Sequence, residues 1–381
     1  MFRNPFSDEE LARRVSAVRR EMAARDLDLA VFSAPESVFY LTGLDHWGYF
    51  APHHLIVPAD GEMVLVTRQM ERVTIENQVR NARFSGHTDS VTAASHLAKE
   101  LGDLAGRRVG LETASSGLTF AAGRELSTAT GAAEWADITD LTDALRLVKS
   151  PEEQVLMRAA ARASDAGTLA AIAAIHDGAR EVDVVAECTA AMIRAGSNPP
   201  GFGPFIRPDH RIAEEHTTWG DGIYRNGGRV MLELAGCVSR YHAPMGRLIH
   251  LGHIRDEDAE MAEISKRAFE ASLNGLRPGR RARDVYADWQ AVVDAAGMPH
   301  YRRHHCGYLV GIGFPPSWTG GNKVTGLRHD SDLEIKEGMS FHLLSWFTET
   351  GSGDYFVSNC ALLGPDGPEL LTKAPMGPTV L

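Results

Sequence analysis

The strongest constraint on the fold is an internal repeat in the second part of the chain. The segment GAREVDVVA, which begins at Gly178, matches GRRARDVYA, which begins at Gly279, and the correspondence continues without gaps to Gly196 and Gly297. A second helical pattern precedes each copy and an extended run follows it. Two helix pairs, each followed by strands, predict a domain with pseudo-two-fold symmetry and a site at the centre of its sheet.

The first part of the chain has a different pattern, in which helices and strands alternate. Residues 8–26 have helical spacing, LDLAVFSAP and RRVGLET are typical of buried strands, and HHLIVPADGEMVLVTR predicts two strands joined by a turn at Asp60-Gly61. This alternation predicts an α/β unit with a mostly parallel sheet. Ser150, followed by Pro151 and two glutamates, is a helix start. We therefore predict two domains, residues 1–150 and 151–381.

Composition excludes several classes of partner. The 381 residues carry a formal net charge of −11 without a basic stripe, which argues against nucleic-acid binding. The apolar runs are far shorter than the roughly 20 residues of a membrane span, and the polar N-terminus lacks a signal-peptide core. Four cysteines lack metal-binding spacing, which is typical of reduced thiols. We expect a cytoplasmic protein that acts on a small-molecule substrate.

Several segments carry a resemblance to a known superfamily. They are YLTGLD from Tyr40, the KSPEE joint, MLELAGCVSRYHAPMG, HCGYLVGIGFPP and EIKEGMSFHL. Together they resemble the pita-bread superfamily of creatinase, prolidase and methionine aminopeptidase, over nearly the whole chain. The resemblance implies an α/β fold class, with an N-terminal creatinase-like α/β domain and a C-terminal α+β pita-bread domain that contains the internal repeat.

The same resemblance implies a test for metal chemistry. Metallopeptidases of the superfamily hold two divalent ions with two aspartates, one histidine and two glutamates. In this chain the five positions are occupied by Glu233, Pro244, Tyr308, Leu344 and Ser358. One carboxylate among five ligands predicts that no metal cofactor is held. A shifted alignment that recruits other side chains is the alternative; the candidates are His242, His342 and Asp354.

Two residues are the main catalytic candidates. Glu233 either binds or attacks a cationic substrate, or it forms a structural ion pair with Arg240 or Arg247. His216, in EEHTTWGD, matches the superfamily's pocket histidine, which acts as a proton carrier; the alternative is a surface histidine. We favour the functional interpretation for both: for Glu233 because titratable groups in unusual environments collect at active sites, and for His216 because of its place in the superfamily pattern.

Aromatic and imidazole side chains complete the expected site. Counting alternate faces along a strand from Glu233 predicts that Tyr241 shares its face and that His242 points away unless a bulge intervenes. Tyr308, in place of a metal ligand, offers a phenol that can donate a hydrogen bond, so both tyrosines are catalytic candidates. Further substrate-binding candidates are His242, His305, Trp219, Trp47 and Tyr49. The resemblance implies a homodimer in which the loop with Trp47 reaches the partner's site.

The runs HTTW and ELAGCVSRYHAP make the resemblance to ectoine hydrolases specific within the creatinase-like branch. Those enzymes open a cyclic amidine that carries a carboxylate. One departure is Ser358, where ectoine hydrolases keep the last glutamate. The sequence therefore predicts a metal-independent hydrolase of a non-peptide C–N bond in a small amidine- or guanidine-like amino-acid derivative. A prolidase-type metallopeptidase with a rearranged metal site and a non-catalytic binding module remain alternatives.

Overall fold

The computed structural model describes residues 3–131, 133–320 and 324–381. The chain forms two compact units, Met1–Arg146 and Leu147–Leu381, so the predicted boundary at residue 150 lies just inside the second unit. The first unit contains six α-helices and six strands among its described residues. They are α1 (Asp8–Ala24), α2 (Pro35–Thr42), α3 (Arg72–Glu76), α4 (Ala93–Leu101), α5 (Phe120–Ala129), α6 (Leu141–Arg146), β1 (Leu29–Phe32), β2 (His54–Pro58), β3 (Met63–Arg68), β4 (Ala82–His87), β5 (Arg108–Leu111) and β6 (Glu134–Asp137).

The strands of the first unit form one mixed sheet in the order β4-β3-β2-β1-β5-β6. Three of its five strand pairs are parallel, while β1–β2 and β2–β3 are antiparallel. The predicted hairpin turn at Asp60-Gly61 joins β2 to β3, and Gly61 has a φ of 91°, which glycine adopts without a Cβ clash. The α/β class expected for this unit is confirmed.

The second unit contains the predicted repeat. Its elements are α7 (Pro151–Ala174), α8 (Glu181–Arg194), α9 (Asp256–Gly275), α10 (Ala282–Ala295), β7 (Phe205–Pro208), β8 (Arg229–Val238), β9 (Tyr241–His250), β10 (Gly307–Leu309), β11 (Ser340–Phe347), β12 (Tyr355–Gly364), β13 (Gly367–Leu370) and β14 (Thr379–Val380). The main sheet has the order β10-β11-β12-β9-β8-β7, which places the strands of the two copies symmetrically about the β12–β9 pair. The matched glycines Gly178 and Gly279 have φ values of 87° and 86°.

The start of α7 follows the sequence signal. The Ser150 side chain accepts a hydrogen bond from the backbone N–H of Glu153, and the Glu153 carboxylate accepts one from the backbone N–H of Ser150. This capping box satisfies two N–H groups that the first turn leaves without partners. It fixes the helix that covers one face of the central strands.

The contact between α7 and β8 requires a glycine. A Cβ on Gly236 would lie 2.3 Å from the Ala160 carbonyl oxygen, so only glycine allows the helix to approach this closely. The Ser164 hydroxyl accepts a hydrogen bond from the Gly236 N–H at 2.7 Å and donates one to the Ala243 carbonyl oxygen. Helix α7 therefore lies on the Gly236 face of β8, and Glu233 lies on the opposite face.

Among the described residues, no helix is both long and apolar enough to cross a membrane.

Candidate active site

The β8–β9 hairpin determines which side chains accompany Glu233. Its turn consists of Ser239 and Arg240, with φ values of 46° and 65°, and Val238 pairs directly with Tyr241. Directly paired residues share a face, so a two-residue turn reverses the alternation that is counted along the chain.

The expected faces of Tyr241 and His242 are therefore wrong. Glu233 pairs with Gly246, which places His242 and Pro244 on the Glu233 face and Tyr241 on the α7 face. The Tyr241 hydroxyl donates a hydrogen bond to the Glu153 carboxylate at 2.7 Å, so it supports the capped start of α7 and not a catalytic site. His242 is fully buried and accepts a hydrogen bond from the Gly201 N–H at 2.8 Å. Burial lowers its pKa to about 4.

Glu233 opens onto a cavity of about 200 Å³ in the second unit. The cavity has an aromatic wall and several titratable groups. Its described lining residues are Phe202, Phe205, Arg207, Glu215, His216, Glu233, Arg303, His304, His305, Tyr308, Ser317, Trp318, Thr319, Val324, Leu344 and Trp346. Of the predicted site residues, Glu233, His216, Tyr308 and His305 come together here. Trp219 lies outside the lining set, next to Gly203.

The Glu233 carboxyl is held in an unusual state. Glu233 is 7% exposed, and no described group donates a hydrogen bond to its carboxyl. Burial raises its pKa to about 7, the nearby Arg207 guanidinium partly offsets that shift, and Glu215 adds to it. A carboxyl with a pKa near neutral that faces a cavity can hold a cation or act as a nucleophile.

The cation close to Glu233 is Arg207, which the sequence interpretation missed. Residues Phe205 and Glu233 are directly paired, and Arg207 is two positions along β7, so it shares their face. The Arg207 side chain is buried and donates to the carbonyl oxygens of Thr217 and Ile212. The two arginines predicted as partners lie elsewhere: Arg247 donates to backbone carbonyls that include Ser358, and Arg240 stacks over Phe314.

His216 reaches the cavity from an exposed loop. Its backbone has a φ of 58°, a left-handed conformation that non-glycine residues adopt infrequently and that occurs at functional sites. Its ring lies 6.1 Å from the Phe202 ring and 6.0 Å from the Phe205 ring, measured between centroids. His305 is more deeply placed, and burial lowers its pKa to about 3, so its imidazole is neutral at neutral pH.

The cavity mouth contains a second cation that no motif indicated. Arg303 lies with its guanidinium carbon 5.0 Å from the centre of the Trp346 ring, and it contacts the Glu215 carboxylate at 3.4 Å. Glu215 is 47% exposed, so this ion pair is weak and easily displaced. The cavity therefore combines an anionic group in its buried part with a stacked cation at its entrance.

Trp47 and Tyr49 belong to the first unit. Trp47 is 59% exposed, whereas the Tyr49 hydroxyl donates to the Leu44 carbonyl oxygen at 3.0 Å. The Tyr49 ring packs against His46 and His53 of the same unit. Tyr49 thus has an internal role in shaping the loop, whereas Trp47 is one of the side chains that the loop exposes.

Comparison with known proteins identifies the family. Residues 155–362 match metallopeptidase family M24, and residues 14–148 match the creatinase/prolidase N-terminal domain. The chain belongs to family M24. The ectoine hydrolase of Halomonas elongata is 28% identical over 393 residues, covering 97% of each chain, and the creatinase of Bacillus sp. strain B-0618 is 24% identical over 404 residues, covering 98% of this chain and 93% of that one.

Solved structures of a dipeptidase and a prolidase share the fold. A dipeptidase from Pyrococcus horikoshii OT3 superposes with a TM-score of 0.83 at 22% identity, over 97% of this chain and 100% of that one. A prolidase from Thermococcus sibiricus gives a TM-score of 0.85 at 18% identity, over 98% and 100%. The relatives are hydrolases, so the expected fold and the general class of enzyme are confirmed.

The residues at the expected metal positions do not form a dinuclear metal site. Glu233, Tyr308 and Leu344 line the cavity, but only Glu233 offers a carboxylate, and Ser358 pairs directly with Leu344 across β11 and β12. Within the described ranges, no three His, Cys, Asp or Glu side chains are grouped so that they could hold an ion. The alternative ligand His342 instead forms hydrogen bonds to Tyr308 and Ser358.

Proposed function

We propose that this protein is a metal-independent hydrolase of a non-peptide C–N bond in a small amidine- or guanidine-like amino-acid derivative. The observation that carries the proposal is the Glu233 carboxyl, which faces the cavity without a hydrogen-bond donor among the described residues and has a pKa of about 7. A bound amidinium supplies the missing charge and the missing N–H donors together. The 28% identity to an ectoine hydrolase over 97% of the chain supports the same class of reaction.

The cavity mouth suits the other end of such a substrate. An amino-acid derivative carries a carboxylate, and an arginine stacked on an aromatic ring presents its N–H groups in a fixed plane for a carboxylate. Arg303 has this arrangement over Trp346, and its contact with Glu215 is long enough to be exchanged for a substrate anion. The substrate then lies with its cation at Glu233 and its carboxylate at Arg303.

The reaction follows from these positions. Glu233 orients the amidinium or attacks its carbon, and His216 takes a proton from the water that supplies the new C–O bond. The C–N bond breaks as the leaving nitrogen receives a proton, and the Tyr308 hydroxyl orients the reacting group. Water is consumed: its oxygen becomes the carbonyl oxygen on the attacked carbon and its two hydrogens end on the leaving nitrogen, which stays in the same molecule when the amidine is cyclic.

The substrate assignment is tested with matched ligands. We expect wild-type protein to hydrolyse a cyclic amidine carboxylate and to discriminate by about tenfold or more in kcat/KM against its carboxamide analogue, because an unpaired buried partner is costly. Arg303→Gln should remove most of that discrimination. Arg302→Gln is the control, since Arg302 pairs with Asp294 outside the cavity. Absence of turnover with amidines and guanidines, combined with peptide hydrolysis, would refute the proposed reaction.

Metal independence gives a separate prediction. We expect purified protein to contain far less than one metal ion per chain by elemental analysis, and its amidine turnover to be unchanged after chelation and dialysis. The reason is that four of the five positions that bind metal in relatives hold side chains without a carboxylate or an imidazole. Two ions per chain, or loss of turnover on chelation that is restored by added metal, would support the metallopeptidase alternative.

We also propose that the protein acts as a homodimer in the cytoplasm. The loop with Trp47 exposes Phe50, and the adjoining segment exposes Met70 and Val73, which are 80%, 68% and 59% exposed. The His46–Glu71 contact of 3.4 Å joins the two segments, and we propose that these side chains form one apolar patch. Patches of this kind are typical of interfaces. The four cysteines are free and buried, which suits a reducing compartment.

The dimer proposal predicts the effect of one surface substitution. Phe50→Ser should shift the protein towards monomer in analytical ultracentrifugation and lower its turnover. Phe120→Ser is the control, because Phe120 is 85% exposed on α5 of the same unit and outside the patch. A fully active wild-type monomer at assay concentration, or equal dissociation by both variants, would contradict the proposal.

A further inference from the structure

A chain of hydrogen bonds connects the cavity to the position of the last metal-binding glutamate. The Trp318 Nε1–H donates to the Tyr308 hydroxyl oxygen at 3.0 Å. That oxygen lies 2.8 Å from His342 Nδ1, and His342 Nε2 lies 2.7 Å from the Ser358 hydroxyl oxygen. His342 and Ser358 have no exposed surface, and Tyr308 is 8% exposed on the cavity side. The direction of these hydrogen bonds decides whether Tyr308 offers a hydrogen or a lone pair to a substrate.

Neutral His342 allows two arrangements of hydrogens. Burial holds the pKa of His342 well below its usual value, so the ring carries one N–H. If that hydrogen is on Nε2, His342 donates to Ser358 and Tyr308 donates to Nδ1. If it is on Nδ1, His342 donates to Tyr308 and Ser358 donates to Nε2. The indole N–H of Trp318 donates to Tyr308 in both cases.

Counting hydrogens separates the two arrangements. With the hydrogen on Nε2, the Ser358 hydroxyl hydrogen has no acceptor among the described residues, because its only recorded side-chain partner is His342. A buried donor without a partner costs about 1–3 kcal/mol. With the hydrogen on Nδ1, Ser358 donates to Nε2 and the Tyr308 oxygen accepts two hydrogen bonds. Its own hydrogen then points into the cavity, where water or a substrate accepts it.

We infer that Ser358 is a positioning residue, which fixes the Nδ1–H tautomer of His342 and thereby directs the hydroxyl hydrogen of Tyr308 into the cavity. On this inference, the serine at the position of a metal-binding glutamate has a role of its own, which is to orient His342. The tautomer follows from the burial of His342 and its hydrogen-bond geometry, whereas its consequence for turnover rests on the proposed function.

The consequence concerns the reaction step. The nitrogens of an amidinium have no free lone pair, so they are poor acceptors for the Tyr308 hydrogen. After a nucleophile adds to the carbon, the leaving nitrogen gains a lone pair and can accept that hydrogen. An interaction that is stronger in the transition state than in the bound substrate raises kcat and leaves KM little changed.

The experiment measures the tautomer directly. Protein with ¹⁵N-labelled histidine is analysed by two-bond ¹H–¹⁵N correlation spectra, in which the pattern of ring cross-peaks distinguishes Nδ1–H from Nε2–H. The His342 signals are assigned by their loss in His342→Gln. We expect Nδ1–H in the wild type and in Ser358→Thr, which keeps the hydroxyl, and loss of this preference in Ser358→Ala. An Nε2–H tautomer in the wild type would overturn the inference.

Kinetics with the cyclic amidine carboxylate test the consequence. Ser358→Ala should lower kcat about tenfold, the scale of one lost hydrogen bond, with KM within about twofold. Ser358→Thr should restore kcat. Ser340→Ala is the control, because its buried hydroxyl donates to the Val310 carbonyl oxygen in the same sheet and does not touch His342. An unchanged kcat in Ser358→Ala would refute the role for Ser358 in turnover; absence of any wild-type turnover would refute the proposed function and leave the tautomer result to stand or fall separately.

Discussion

Glu233→Gln is expected to lose about a thousandfold or more of turnover while the protein becomes more stable above pH 7. Glutamine keeps the shape of the side chain but lacks the charge that holds an amidinium and the nucleophilic oxygen. Loss of a catalytic group usually costs several orders of magnitude, whereas an exposed ion pair contributes only about 0–1 kcal/mol. A structural carboxylate would give the opposite pair of results, with near-normal turnover and lower stability.

The stability gain follows from the raised pKa of Glu233. Burial raises this pKa from 4.5 to about 7, so the folded protein holds a proton that the unfolded chain releases between these values. This bound proton contributes to the free energy of unfolding. Its contribution is fully present below about pH 4.5 and is lost as the pH rises through about 7. Glutamine does not titrate, so Glu233→Gln does not lose stability in this way as the pH rises. A pKa shift of this size corresponds to a change of roughly 3 kcal/mol at most in the free energy of unfolding.

The same pKa predicts the pH dependence of turnover. The carboxylate form is the one that holds a cation, so kcat/KM should fall as the pH decreases below about 7, because that ratio reports the free enzyme. A bound amidinium favours the charged carboxylate, so the corresponding fall in kcat should occur at lower pH. Glu215→Gln should move the limb to lower pH, since Glu215 helps to raise the pKa of Glu233.

Three measurements check this set of results: thermal unfolding between pH 5 and 9, kcat and KM over the same range, and the far-ultraviolet circular dichroism of Glu233→Gln. The circular dichroism should match that of the wild type. Turnover within about tenfold of the wild type, with a lower melting temperature at pH 8, would return Glu233 to a structural role.

The fold was predictable because its signals are local or repeated. The capping box at Ser150 and the Asp60-Gly61 hairpin each depend on residues a few positions apart. The repeat is visible because both copies need a glycine with positive φ at Gly178 and Gly279, and no other residue adopts that conformation as readily. The symmetric order of the strands then follows from repeating one unit.

The face of Tyr241 was not predicted correctly, because counting alternate positions assumes a continuous strand. The sequence VSRY contains no glycine to indicate a tight turn, yet Ser239 and Arg240 both adopt positive φ. A two-residue turn reverses the faces, which moves Tyr241 from the cavity to α7. Recognising Val238 and Tyr241 as paired ends of a hairpin was the only route to the correct face.

Arg207 and Arg303 were missed for a different reason. Arg207 reaches the Glu233 face only because β7 pairs with β8 in a particular register, and register between distant strands leaves no periodic signal in either strand. Arg303 lies in a loop and gains its importance from Trp346 on β11. The position of each arginine depends on tertiary structure, and nothing in the sequence distinguishes these two arginines from the others.

His216→Ala is expected to reduce turnover about a hundredfold or more, the usual scale of general acid–base catalysis. Imidazole is the side chain whose ordinary titration range includes neutral pH, so it can accept and return a proton within one cycle. His216 lies at the cavity beside the rings of Phe202 and Phe205. A more buried imidazole of the cavity wall, His305, has its pKa lowered to about 3, which makes it a poor proton acceptor.

The pH profile and chemical rescue separate a proton carrier from a structural side chain. The His216→Ala profile should keep the acid limb of Glu233 near pH 7 at a turnover that is lower over the whole range. Free imidazole should restore part of the turnover, because the exposed loop leaves access to the vacated position.

His304→Ala is the matched control, since His304 lines the same cavity and is also exposed. Its profile should match that of the wild type, because no contact places His304 against the Phe202 and Phe205 wall at which His216 lies. If His304→Ala loses turnover that free imidazole restores, while His216→Ala keeps its turnover, the proton passes through His304 and not through His216.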